Sequence, residues 1–197
     1  MIGQLRGRLA AKHPPGLLIE VGGVGYECEA PMSTFYHLPA IGSEVTLRTH
    51  VVVREDAHLL FAFATEDERR LFRSLLKVSG IGPKIALAIL SGTSVSDFLS
   101  LIEAEDTDQL VRVPGIGRKT AERLIIEMRD RVKDFGSPQG GLARAPDAPR
   151  SAKQEASSAL LALGYKPAEI TRLLATVRED TLSTEEMIRY ALKAAAI

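Results

Sequence analysis

The chain has no tryptophan, a single cysteine and no surplus of charge of either sign. Cys28 cannot form an internal disulfide, so the fold must rest on buried apolar surface, and this cysteine usage suits a reducing compartment. Lysine plus arginine equal aspartate plus glutamate at 25 each, which excludes a global basic field that would draw in polyanions. The balance is as flat by segment: 5 basic against 6 acidic residues over 1–64, 12 against 11 over 65–133, and 8 against 8 over 134–197. Any contact with nucleic acid must therefore be confined to one face. No apolar run approaches the ~18 residues a membrane span needs. Met1-Ile2-Gly3-Gln4-Leu5-Arg6 lacks the apolar stretch of a signal peptide, so a soluble cytoplasmic protein is expected.

Catalytic groupings are also missing. His13, His37, His50 and His58 are scattered without metal-ligand spacing. Asp130 and Asp134 sit where some hairpin-containing glycosylases carry a carboxylate, but within Arg129-Asp130-Arg131 they read as exposed partners at a helix end. A phosphate-binding P-loop needs Gly-Lys-Ser/Thr in one run. Here Arg118 separates Gly117 from Lys119, and a dinucleotide fingerprint would need glycine where Thr120 or Ile85 stands. No catalytic residue, metal site or cofactor is expected, and the chain should not hydrolyse a nucleotide by itself.

What is present is a phrase used twice. Val78-Ser79-Gly80-Ile81-Gly82-Pro83-Lys84-Ile85-Ala86 returns 35 positions later as Val113-Pro114-Gly115-Ile116-Gly117-Arg118-Lys119-Thr120-Ala121. Both copies read apolar-x-Gly-apolar-Gly-x-Lys-x-Ala and run into a helix, the pattern of the helix-hairpin-helix, a sequence-independent binder of the DNA backbone. The glycines permit φ > 0 and close approach of the backbone to a ligand. Ile81 and Ile116 should pack down and hold the loops. The first N–H groups of the following helices, at about residues 82–85 and 117–120, should point outward toward a phosphate. Lys84 in one copy, and Arg118, Lys119, Thr120 and Arg123 in the other, add charges and donors. With Gly80, Gly82, Gly115 and Gly117 they form the expected phosphate-binding set. Such contacts position DNA without reading its sequence. A single copy would read as readily as a tight turn between packed helices; repetition favours the binding reading.

Around the repeat, a multidomain α+β chain is expected. Residues 1–64 carry five short, often alternating runs at Ile2 to Leu9, Leu17 to Val21, Gly25 to Glu29, Glu44 to Val53 and Leu59 to Phe63. Pro14-Pro15-Gly16 and Gly22-Gly23 break them as turns. A small closed barrel of the OB type is the first reading, an open sheet or SH3-like barrel the second, with a short helix over Pro31 to Leu38. Residues 65–135 read as helical, at Glu66 to Val78, Ile85 to Leu90, Val95 to Ala104, Asp108 to Val113 and Thr120 to Val132, with Ser94 or Ser96 and Thr107 as N-caps. Residues 136–152, rich in Gly, Pro and Ser, read as a flexible linker. Residues 153–197 read as a small three-helix, UBA-like unit: Lys153 to Leu163 stopped at Gly164, a second helix opened by Pro167 and ending near Val177, and a third behind the capping box Ser183-Thr184-Glu185-Glu186. Glu55-Asp56 stands at the tip of an expected hairpin, where two carboxylates near phosphates would repel them and shape the strand path.

In that order, barrel, paired hairpins, Arg54-Glu55-Asp56 tip and tethered helical unit, the chain resembles the RuvA family, bacterial Holliday-junction-binding subunits of a branch-migration machine. The likeness spans essentially the whole sequence. It is most specific at Met1-Ile2-Gly3, Ile19 to Glu27, Val53 to Asp56, Pro83 to Gly92, Pro114 to Glu127 and Leu163-Gly164-Tyr165-Lys166-Pro167. The resemblance implies a flat homotetramer on a four-way junction, with one or two tetramers per junction, and Glu55 and Asp56 as a central acidic pin. It also implies the RuvB ATPase as partner of the C-terminal unit, the RuvC resolvase as a further partner, and a role in recombination, DNA repair and the SOS response to DNA damage. Leu160, Leu163, Tyr165 and Leu192 are the candidate RuvB-facing residues, with membership of that unit's own core as the equal alternative. Two other readings stay open. A helix-hairpin-helix repair enzyme lacks a ligand cluster here, and an adaptor without DNA affinity would suit the neutral charge balance.

Overall fold

The computed structural model describes residues 2–136, 151–175 and 182–195. Five strands close into a barrel: β1 (Gln4–His13), β2 (Gly16–Val21), β3 (Val24–Glu29), β4 (Glu44–Val53) and β5 (His58–Phe63), ordered β1-β2-β3-β5-β4. β1 achieves the closure. Its first half pairs with β4 from Gln4↔Arg48 to Arg8↔Glu44, and its second half pairs with β2 from Arg8↔Glu20 to His13↔Gly16. A register shift between Leu9 and Ala11 lets one strand turn from one neighbour to the other. β1 therefore continues past Leu9 to His13, through Ala10-Ala11-Lys12 where alternation fails. The seam between β3 and β5 is a single parallel pair, Glu29↔Phe61. This is a five-stranded barrel of OB type, and the short helix α1 (Met32–His37) falls between β3 and β4 as expected.

The inward residues of alternating strands fill the barrel: Leu5, Leu9, Leu17, Ile19, Cys28, Leu47 and Ala62 with Ala30 and Leu38. Burial pushes the Cys28 thiol up to about 12. β5 is apolar on both faces, and each face has its own use. Ala62 points into the barrel, while Phe61 and Phe63 join a second core built by five helices. These are α2 (Glu66–Leu75), α3 (Pro83–Gly92), α4 (Val95–Glu103), α5 (Thr107–Val111) and α6 (Arg118–Gly136). Barrel and helices consequently form one compact unit, and the chain passes from one to the other near residue 64 without a break in packing. No single helix among the described residues is long and apolar enough to cross a membrane.

Helix starts follow local capping chemistry. Thr65 and Glu68 form a capping box on α2, and Ser94 Oγ accepts from Asp97 N at 3.1 Å to cap α4. Three expectations need correction. α2 stops at Leu75, not Val78, because Leu76 to Gly80 already form the hairpin turn. Val78 is nevertheless buried there, which prolongs the apolar spacing beyond the helix. α5 is capped by Asp106, whose carboxylate accepts from Gln109 N at 3.0 Å, and not by Thr107. α3 and α6 begin at Pro83 and Arg118, directly behind the second glycine of each repeat, and α6 continues to Gly136.

The C-terminal unit packs α7 (Ala152–Ala162), α8 (Pro167–Ala175) and α9 (Thr184–Ala195) around Ala156, Leu160, Ile170, Leu174, Met187 and Ala191. Gly164 follows α7 with φ +96°, as a left-handed cap should. Glu186 Oε2 accepts from Ser183 N at 2.9 Å while Glu186 N donates to Ser183 Oγ at 3.3 Å, the reciprocal box expected before α9. Most of the 136–152 linker, and the end of the second helix near Val177, lie outside the described residues.

Candidate nucleic-acid interface

The two copies of the repeated phrase fold alike, bond for bond. In the first, Val78 N donates to Leu75 O at 2.9 Å, Ile81 N to Val78 O at 3.1 Å and Ala86 N to Gly82 O at 3.0 Å. In the second, Val113 N donates to Leu110 O at 3.2 Å, Ile116 N to Val113 O at 3.0 Å and Ala121 N to Gly117 O at 2.9 Å. Ile81 and Ile116 are 5% and 4% exposed, so each loop is pinned from beneath by its central isoleucine. The helices on either side, α2 with α3 and α5 with α6, complete two helix-hairpin-helix units.

The two glycines of each copy do different work. Gly80 and Gly115 stand at φ +89° and +90°, a conformation that a side chain makes costly. Gly82 has φ −94°, which any residue adopts, and Gly117 is likewise not left-handed. A Cβ on either would meet no atom of the chain within 4 Å. Nothing inside the protein requires glycine at 82 or 117. What the missing side chains leave is clear space over the first backbone amides of α3 and α6. The first helical bonds belong to Ala86 and Ala121, so the amides of Gly82, Lys84 and Ile85, and of Gly117, Arg118, Lys119 and Thr120, precede the helical ladder. Pro83 carries no N–H, which takes one donor from the range expected for the first copy.

Lys84, Arg118, Lys119 and Arg123 are exposed around these amides, and Thr120 is half-buried. Arg118 is not wholly free, since its Nε lies 3.6 Å from Glu122 Oε1 one turn on. Arg123 reaches the other hairpin: its Nη1 donates to Ser79 Oγ at 3.2 Å. Ser79 is the cross-hairpin partner the sequence reading missed, and only its adjacency to Gly80 could have suggested it.

Glu55 and Asp56 occupy the β4–β5 tip, both exposed, with Arg54 N donating to Ala57 O at 2.8 Å to close the turn. His37 Nδ1 lies 2.8 Å from Ser33 O, and His50 meets Phe72 edge-on at 5.9 Å, while His13 and His58 line one pocket on the barrel with Glu27 and Glu29. Among the described residues no group of three His, Cys, Asp or Glu is placed to hold a metal. Asp130 and Asp134 fall on α6, and their side chains lie outside the described set. In the C-terminal unit the four candidate docking residues separate. Leu160 is fully buried in the core, which removes it from any surface. Tyr165 and Leu192 are partly buried against that core, and Leu163 is 61% exposed.

An OB-type barrel fused to tandem hairpins, with amides and cations gathered at the hairpin loops, defines a class: sequence-independent binders of the nucleic-acid backbone. Comparison with known proteins narrows it. Residues 1–62 match the RuvA N terminal domain, residues 72–130 the SAM-like Helix-hairpin-helix tandem, and residues 151–196 the RuvA C-terminal domain. Proteins described as "Holliday junction branch migration complex subunit RuvA" align over nearly their full length. The one from Methylococcus capsulatus is 57% identical over 202 residues, covering 99% of both chains. That from Thioalkalivibrio sulfidiphilus is 56% identical over 202 residues, and that from Pseudomonas aeruginosa 52% over 198, each covering 98% of both chains. The chain belongs to the RuvA family.

Proposed function

We propose that this protein is the non-catalytic, DNA-binding subunit of a Holliday junction branch migration complex. It binds four-way junctions by their structure, as a homotetramer with one or two tetramers on each junction, and acts in the cytoplasm in recombination and DNA repair, including the SOS response to DNA damage. The observation that carries the reading is the open space at Gly82 and Gly117. Two glycines with no internal cause stand at equivalent places in two hairpins, each beside unpaired amides and exposed lysine. A phosphate oxygen approaching those amides supplies the missing reason.

In this reading Gly80, Gly82, Lys84, Gly115, Gly117, Arg118, Lys119, Thr120 and Arg123 hold backbone phosphates. Glu55 and Asp56 repel phosphates at the crossover and guide strands apart. The C-terminal unit recruits the RuvB ATPase that supplies the motor, with the exposed Leu163 as contact and Tyr165 and Leu192 supporting it. RuvC resolvase acts on the same junction. The neutral charge balance agrees with contacts confined to one face.

A competition gel shift tests this. A labelled four-way junction is challenged with linear duplex of the same sequence across a salt series. The expected result is strong preference for the junction and a log–log salt slope of about −0.9 per phosphate contact on duplex arms. Equal affinity for both would reduce the protein to a generic DNA binder, and no binding would favour the adaptor reading.

A further inference from the structure

The bond between Arg123 and Ser79 joins the two hairpins, and the repeat does not account for it. Thirty-five positions apart, the equivalent of Ser79 is Pro114 and the equivalent of Arg123 is Ala88. Neither side chain can make this bond, so it occurs once and joins the copies instead of belonging to either. Arg123 Nη1 spans 44 positions of sequence to reach Ser79 Oγ at 3.2 Å. Ser79 immediately precedes the left-handed Gly80, and Arg123 sits on the helix whose first turn carries the second set of amides. A close approach runs the opposite way. A Cβ on Gly115, in the second loop, would stand 3.4 Å from Ile85 Cγ1, on the helix behind the first loop. The first loop is thus bonded to the helix that follows the second hairpin, and the second loop passes near Ile85 behind the first.

We infer that Arg123 is a positioning residue: through Ser79 it fixes the separation of the two phosphate-binding loops, beyond whatever charge it brings. This rests on the reading that both loops bind phosphates. Two rigid loops at a fixed spacing meet two phosphates without a further ordering cost, whereas loops free to shift would lose part of each contact to that ordering. Ile81 and Ile116 anchor both loops in one core, but apolar burial is non-directional, so it does not set the loop spacing alone. The Arg123–Ser79 bond is directional, and its guanidinium retains further N–H donors for the ligand.

A double-mutant cycle on the full chain tests this, with junction affinity measured across a salt series for wild type, Ser79→Ala, Ser79→Thr, Arg123→Ala and the Ser79→Ala/Arg123→Ala pair. Thermal unfolding of each variant confirms that the fold is intact. Ser79→Ala should weaken junction binding about three- to tenfold, the range of one hydrogen bond, with the wild-type salt slope because no charge has been removed. Ser79→Thr, which keeps the hydroxyl, should bind as wild type. The pair should bind no more weakly than Arg123→Ala. Wild-type affinity in Ser79→Ala, a loss in Ser79→Thr equal to that in Ser79→Ala, or additive losses in the pair would each overturn the inference and leave the junction-binding reading standing. A wild-type chain with no junction affinity would remove both together.

Discussion

The rings of Phe61 and Phe72 lie 4.9 Å apart, tilted 39° to each other, and Phe63 stands at the same distance from Phe72. Through this trio the last barrel strand and the first hairpin helix share one core. The β4–β5 tip and the hairpin loops are thereby carried by a single rigid body. Glu68 adds a polar tie, accepting from Thr34 Oγ1 at 3.2 Å and from Ser33 Oγ, so that α1 is bonded to α2 as well.

Phe72→Ala should therefore destabilise barrel and hairpins together, by about 3–5 kcal/mol, the usual cost of removing a buried phenyl ring. Chemical denaturation followed by probes in each part checks this. Coincident transitions, both shifted, are expected. A barrel that unfolds at its wild-type midpoint while the helices shift would show two independent bodies.

The glycine pairs should divide by role. Gly80→Ala and Gly115→Ala each force a side chain into the left-handed region, at a cost of roughly 1–2 kcal/mol, and should lower the unfolding midpoint. Gly82→Ala and Gly117→Ala meet no atom of the chain, so stability should hold or rise slightly. Junction affinity should nonetheless fall in both. Unchanged affinity in Gly82→Ala and Gly117→Ala would leave those glycines without a ligand-related cause.

Stability should depend on pH through His50. Burial first, then the neighbouring Arg73 and Arg69, hold its imidazole below the ordinary histidine value. The unfolded chain then takes up the proton more readily than the folded one. Stability should accordingly fall as pH drops from about 6.5 through the lower folded value, and level off above about 7. His50→Gln should flatten that stretch of the curve in denaturant titrations at about pH 5.5, 6.5 and 7.5. A slope identical to wild type would assign the dependence to another group.

In the C-terminal unit, Leu160 and Leu163 should give opposite results. Leu160→Ala opens a cavity among Ala156, Ile170 and Met187 and should cost about 2–5 kcal/mol in the stability of that unit. Leu163→Ala removes an exposed side chain and should leave stability within about 0.5 kcal/mol, yet reduce stimulation of the RuvB ATPase. Full stimulation by Leu163→Ala would move the docking surface elsewhere on the unit.

Much of this was legible along the chain because it depends on neighbours in sequence. The hairpin phrase, the left-handed cap at Gly164, the capping box at Ser183 and Glu186, and the strand runs of the barrel are local matters of backbone freedom, side-chain reach and period. They survive in one dimension. Helix ends were less legible: Val78 keeps apolar spacing because the hairpin turn buries it, so the pattern outlasts the helix.

The sequence by itself determined that two loops would fold alike and place their lysines and first helical amides equivalently, because those properties belong to short stretches of backbone. Tertiary structure alone decided how the loops relate. Leu160 reads the same as Leu163 in sequence, yet Leu160 is buried inside α7 while Leu163, the C-cap past its last residue, is exposed. Phe61 and Ala62 are consecutive apolar residues, yet strand alternation sends them into different cores. Ser79 and Arg123 meet across 44 positions, and no local rule pairs them. Contacts between distant residues arise only when the elements carrying them pack, and packing is set by the whole buried surface at once.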